Sequence, residues 1–135
     1  MVAWQFGWEQ IQLNFWWGKG FGHEEYIYYY GDNQLKLNLL GHDGASHNSY
    51  IAMWLNTGLV GLCLFYSVFL GKFLKASKNS VLAFPVLFAT LFSANFESWL
   101  MGSLNPYTIL LIISLTVMTS DEFNQDRNPS DVSLL

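Results

Sequence analysis

The fold turns on Tyr50-Ile-Ala-Met-Trp-Leu-Asn-Thr-Gly-Leu-Val-Gly-Leu-Cys-Leu-Phe-Tyr-Ser-Val-Phe-Leu-Gly71, 22 consecutive residues without one charged side chain. At a helical rise of 1.5 Å per residue this stretch is about 33 Å long, enough to cross a hydrocarbon core of roughly 30 Å. Lys72, Lys75 and Lys78 follow at once, three of the six basic residues in the chain. By the positive-inside rule they mark a short cytoplasmic loop, which puts the residues ahead of Tyr50 on the opposite side of the membrane. Ala52, Gly58 and Gly61 offer small faces for the close approach of another helix. Nothing in the stretch marks a discontinuous or charged span of the transporter kind. Cys63, the only cysteine, reads as a small core-filling residue, and no internal disulfide is possible.

Two further apolar runs lie beyond the lysines. The first covers about residues 81–97, with Pro85 near its start and Ser93, Ala94 and Asn95 near its end. The second covers about residues 104–119 and is entered through Asn105-Pro106. The first returns the chain to the outer side, so Glu97, Ser98 and Trp99 are expected on the same side as the residues before Tyr50. The polar tail, residues 121–135, is expected in the cytoplasm without regular structure. Composition agrees with a membrane protein. Of 135 residues, 52% are hydrophobic, 18% aromatic and only 12% charged, where an ordinary soluble domain carries about 25% charged residues. A net charge of −4 with six Lys and Arg supplies no phosphate-tracking surface, so no nucleic-acid partner is expected. The fold class is therefore all-α: a polytopic membrane protein with spans at about 50–71, 81–97 and 104–119. It carries an extracytoplasmic interfacial helix and loop, residues 1–49, and a tail, 121–135.

Residues 3–17 carry Trp4, Trp8, Ile11 and Phe15 at i, i+4, i+7 and i+11, one face of a helix. That face suits either the bilayer interface, where indole rings settle, or packing on the rest of the protein. Gly18-Lys-Gly-Phe-Gly22 ends the helix, as a turn or as a place where backbone approaches something closely. It is not a phosphate loop, because the Walker spacing and the preceding strand are missing. Residues 23–40 read as an irregular loop with short strand pieces, clustered tyrosines at Tyr26 and Tyr28 to Tyr30, and a turn at Gly31-Asp-Asn33. The first residues lack the basic n-region and apolar h-region of a cleavable signal peptide. An extracytoplasmic N-terminal third then calls for something upstream to carry it across.

The chemistry-bearing residues gather in Gly41-His-Asp-Gly-Ala-Ser-His-Asn-Ser-Tyr50, just ahead of the first span. A histidine there sits at the water–lipid boundary, where a lipid-carried substrate has its head group. With an unperturbed pKa of about 6.5, His47 can exchange a proton near neutrality, and a positioned base contributes roughly 10²–10⁴ in rate. Asn48 can orient a substrate hydroxyl or cap the helix that starts at Tyr50. His42, Asp43 and His47 match no recognised zinc spacing, so no metal and no cofactor are expected. No Gly-x-Ser-x-Gly elbow or cysteine nucleophile lies on this side. Glu97, the one carboxylate near an apolar stretch on the outer side, is a functional candidate, though a solvated interfacial carboxylate reads equally well.

The order of these pieces resembles a known family. A Trp-rich helix, a Gly-x-Gly-Phe-Gly turn, Ser46-His-Asn-Ser-Tyr50, Gly58-Leu-Val-Gly61, then Asn95-Phe-Glu-Ser-Trp99 and Asn105-Pro106 are similar to the C-terminal part of the O-antigen ligase and O-antigen polymerase family of bacterial membrane proteins. The resemblance implies a metal-independent glycosyltransferase at the outer face of the cytoplasmic membrane. Its donor is a glycan on undecaprenyl diphosphate, and its acceptor is a glycan, lipid A-core or protein. It implies His47 as the base on the acceptor hydroxyl, with Asn48 and Tyr50 organising the acceptor side and Glu97 beside it. Lys19 with the Gly20 and Gly22 backbone would face the diphosphate, Lys36 being a poorer cation. The family has many more membrane helices and holds the diphosphate with arginines. The single arginine here, Arg127, falls in the tail. The resemblance therefore implies the C-terminal portion of a longer enzyme, inactive by itself. A small non-catalytic membrane accessory protein, binding a partner through its aromatic surface, is the other reading the sequence leaves open.

Overall fold

The computed structural model of the chain describes residues 2–30, 39, 41, 46–101 and 105–120. These form five α-helices and one short 3₁₀ turn: α1 (Val2–Leu13), α2 (His23–Tyr29), α3 (Ser49–Asn79), α4 (Ala83–Ser93), the 3₁₀ turn Trp99–Met101 and α5 (Pro106–Thr119). No strand occurs among the described residues, so the strand pieces expected within 23–40 give way to α2 over residues 23–29. The turn at 31–33, Lys36, His42, Asp43 and the tail lie outside the described residues.

The longest helix, α3, runs 31 residues and is the one described helix long and apolar enough to cross a membrane. Only 17% of its most apolar window is buried, unlike the core helix of a soluble domain. It continues to Asn79, so Lys72, Lys75 and Lys78 ride on its last two turns and are not in a loop. Nothing in 72–79 breaks a helix, since lysine is a good helix former and cations suit a helix C-terminus. Cys63 is exposed on this helix, not core-filling, because it lies on the same outward side as Leu64 and Phe65.

Inside α3 the helix breaks. Gly58 has φ 69° and ψ −178°, a conformation open to glycine and strained for other residues. The break frees backbone groups that would otherwise have no partner in an apolar setting. The turn after α1 satisfies them. Leu55 O and Asn56 O accept from the N–H groups of Lys19 and Gly20 at 3.1 and 2.9 Å, while Leu59 and Val60 donate to Phe15 O and Trp16 O at 2.9 and 3.3 Å. Gly18, at φ 65°, lets the two backbones meet, since a Cβ there would collide with Gly58 N and the Asn56 carbonyl. The glycine turn is thus a close backbone approach, and α3 is discontinuous where the sequence showed no sign of it.

Helix α1 ends at Leu13, short of the expected residue 17. Its buried face is Ala3, Phe6 and Ile11, packed with Ile27, Tyr28 and Leu55. Trp4 and Trp8 lie on a more exposed side, so of the expected stripe only Ile11 is fully in the core. Tyr28 is fixed in this cluster by donating to Ala3 O at 2.6 Å and by an edge contact with Phe6. Burial raises the pKa of its hydroxyl, helped by the Glu24 carboxylate.

A second cluster joins the far half of α3 to α4 and α5. Phe69, Phe73, Ala76, Ala83 and Leu111 are buried together. The connection is tight: Ser80 caps α3 through its N–H to Ala76 O, and its carbonyl receives Ala83 N–H at 3.2 Å. Pro85 sits in the first turn of α4, where its missing N–H costs nothing. Asn105 caps α5 by accepting from Tyr107 N–H, with Pro106 in the first helical position. Helices α4 and α5 hold 11 and 14 residues, about 17 and 21 Å of helix, shorter than the expected runs at 81–97 and 104–119. Phe84, Phe88, Phe92, Leu110, Ile112 and Ile113 are exposed on them, an apolar surface of the kind that meets lipid or other helices.

Candidate functional site

The site grows from the start of α3. Asn48, at φ −150°, caps that helix: its Oδ1 accepts from Tyr50 N–H and Ile51 N–H at 2.9 and 3.0 Å. Its amide nitrogen donates to Asn95 O at 3.2 Å. The side chain is buried, so the capping alternative is what the structure builds, and both ends of the amide are engaged. Ser49 is held against the same segment. Its N–H donates to Ala94 O at 2.8 Å, its Oγ donates to Glu97 O at 2.6 Å, and that Oγ accepts from Leu100 N–H at 3.4 Å. The turn after α4 is thereby stapled to the start of α3.

This staple brings together two residues 50 positions apart. His47 Nδ1 lies 3.8 Å from Glu97 Oε2, with side chains 53% and 67% exposed. The separation is an ion-pair distance, longer than a hydrogen bond. Both groups are open to solvent and to a substrate, as an acid–base residue requires. His47 is also the only non-glycine with positive φ among the described residues, at 47°.

Glu97 borders a cavity of about 670 Å³ between α4 and α5. Val86, Ala89, Leu110 and Leu111 line it together with Thr90, Ser93, Trp99, Asn105 and Tyr107. Tyr50 turns the other way. Its hydroxyl donates to Leu91 O at 2.9 Å and its ring stacks on Tyr66 at 5.3 Å, tying α3 to α4.

Lys19 and Gly20 are exposed, but their amides are engaged on Leu55 O and Asn56 O. Those N–H groups therefore cannot also cradle a phosphate. Gly22, at φ 84°, is the residue before α2, and its carbonyl accepts Tyr26 N–H. His23 opens α2, its pKa lowered by partial burial and by the nearby Lys19 ammonium.

Two residues not singled out in the sequence, Asn56 and Glu24, hold the histidine segment through Ser46. Asn56 Oδ1, buried at the break in α3, accepts Glu24 N–H at 3.0 Å and stands in for the missing side-chain cap of α2. Glu24 Oε1 accepts both Ser46 N–H and Ser46 Oγ–H at 3.0 Å. Ser46 is 1% exposed, and its carbonyl accepts from the Trp4 indole at 3.1 Å. The only signal in the sequence is Asn56 itself, a polar residue inside a membrane-length apolar run.

Residues 1–66 match the family model of O-antigen ligases. The matched part, from α1 through His47 to Tyr66 in α3, is similar to that family, as its residue pattern implied. At the level of the family the match supports a membrane glycosyltransferase-type function in polysaccharide biosynthesis, acting on lipid-linked glycans. No curated protein and no solved structure matches the chain.

Proposed function

We propose that this chain carries the acceptor-activating segment of a multi-pass glycosyltransferase that ligates or polymerises glycan units linked to undecaprenyl diphosphate. His47 is the general base, at the outer face of the bacterial cytoplasmic membrane. The supporting observation is the presentation of His47: an exposed imidazole at the head of the membrane-length helix, between buried residues, with its Nδ1 3.8 Å from a carboxylate. A carboxylate beside the ring suits an imidazole that takes a proton from an acceptor hydroxyl and carries positive charge as it does so. Catalytic contacts of this sort are often long before substrate binds and tighten in the complex.

Glu97 belongs to the acceptor side, between His47 and the cavity that Ser93, Trp99, Asn105 and Tyr107 also line. Asn48 and Tyr50 serve the acceptor by fixing the start of α3. Lys19 is the cation of this chain nearest the role of diphosphate partner. Lysine lacks the bidentate geometry of arginine, so arginines from further membrane segments complete the donor site. In this reading the three apolar runs are membrane spans, α4 and α5 completing theirs with the flanking turns.

The test is His47→Ala in the native protein, read as surface polysaccharide on a gel. Loss of attached or extended glycan at normal protein abundance is expected, and an unchanged ladder sinks the assignment. A non-catalytic accessory protein draws on the exposed rings of Trp16, Trp17 and Phe21. It predicts the reverse pattern, with His47→Ala silent and Trp17→Ala damaging.

A further inference from the structure

The segment carrying His47 is clamped at both ends and strained in the middle. Behind it, Asn48 and Ser49 are locked to α3 and to the 94–97 turn. Ahead of it, Ser46 is gripped on every polar atom. Its N–H and Oγ–H both reach Glu24 Oε1, its carbonyl takes the Trp4 indole, and its Oγ also lies 3.2 Å from Asn48 O. Between the two clamps His47 adopts φ 47°, which an L-residue avoids because its Cβ crowds the following carbonyl. Such a conformation persists only where the surroundings over-determine it, and an observed outlier of this kind points to function.

We infer that Glu24 is the positioning residue for His47, an inference that rests on reading His47 as the base. Two bonds from one residue converge on a single carboxylate oxygen, so Glu24 fixes both the peptide plane and the side chain of Ser46. Glu24 is itself set by its own N–H on Asn56 Oδ1, at the break in α3. A line of hydrogen bonds therefore runs from the discontinuity in α3 to the residue before the histidine. Without the Glu24 oxygen a buried N–H loses its partner. The chain at residue 47 can then relax to negative φ, carrying the imidazole away from Glu97 and the acceptor. Because both bonds use one oxygen, the argument needs that oxygen and not the negative charge. Glutamine can replace glutamate, and alanine cannot.

The experiment compares Glu24→Ala, Glu24→Gln and His47→Ala in the native protein, in membranes supplied with lipid-linked glycan donor and acceptor. Misplacing a reacting group by about 1 Å costs on the order of 10²-fold. Glu24→Ala is therefore expected to lower kcat by about that factor with acceptor KM little changed, and Glu24→Gln to restore most of it. The ¹³Cα shift of His47 in labelled protein should move toward a negative-φ value in Glu24→Ala and stay in place in Glu24→Gln. An unchanged kcat in Glu24→Ala beside an inactive His47→Ala overturns the positioning role and leaves the base assignment standing. An active His47→Ala removes the base assignment itself. If Glu24→Ala does not accumulate in the membrane, Ser46→Ala decides: it deletes one of the two bonds, and a kcat equal to wild type overturns the inference.

Discussion

Asn48 shows how much one side chain can fix. Its oxygen satisfies two amides at the head of α3 and its nitrogen reaches across to Asn95 O. Losing a cap of this kind costs about 1 kcal/mol, and the cross-bond adds to it. Asn48→Ala should lower the melting temperature of the solubilised protein more than Asn48→Asp, which keeps the cap and gives up only the cross-bond. Equal melting of the two variants would mean that the cap contributes nothing. His23 yields a pH prediction. Its folded pKa lies below the ordinary imidazole value of 6.5, by partial burial first and then by Lys19. The unfolded chain then binds more protons here than the folded one, so stability falls as pH drops through 6.5 and levels off below the folded value. His23→Gln should flatten that part of the melting-versus-pH curve, slightly, since the ring is partly solvated. Asn48 was legible in the sequence, because a capping residue just ahead of an apolar run is a local signal. Glu24 was not: its partner Ser46 lies 22 positions away, and no local pattern encodes that distance.

The decisive element is the break in α3. Gly58→Ala forces an L side chain into φ 69° and against the Trp16 carbonyl and Trp17 N–H. Strain of this kind is worth about 1–3 kcal/mol before the clash is counted. Straightening the helix instead would forfeit the four backbone bonds between the Phe15–Gly20 turn and residues 55–60. Gly71 lies on the same helix with open space where a Cβ would go, and there alanine favours the helix. Gly58→Ala should therefore fall in membrane abundance and melting temperature while Gly71→Ala holds or gains. Equal behaviour would show that the break carries no structural weight. The long apolar run made α3 plain in the sequence, since its length and lack of charge are local properties. The break was hidden because a glycine inside such a run reads equally as a small packing residue. What distinguishes the two is a backbone from 40 residues earlier. The lysines at 72–78 misled on the helix end for a simpler reason: charge locates a membrane boundary and does not terminate a helix.

At the scale of the whole molecule, two packed clusters sit at opposite ends of α3. One joins it to α1 and α2 beside His47, and the other joins it to α4 and α5 around Phe73. The proposed orientation puts the first at the outer face and the lysine-bearing end inside. With Cys63→Ser as background, a cysteine at the exposed Glu25 should react with a membrane-impermeant maleimide in intact spheroplasts. One at the exposed Lys78 should react only after permeabilisation. Labelling of both from the same side would overturn the topology. The all-helical class was readable from the long uncharged apolar runs, above all residues 50–71. The number of crossings was less readable, because α4 and α5 are shorter than the apolar runs that contain them.

The most direct measurement is the rate of glycan transfer from undecaprenyl-diphosphate-linked donor by the native protein in proteoliposomes, wild type against His47→Ala. A base at this position predicts a fall in kcat of about 10²–10⁴ with the protein still folded and donor binding retained. A His47→Ala protein that transfers glycan within twofold of wild type, about the scatter of such an assay beside that effect, would contradict the account.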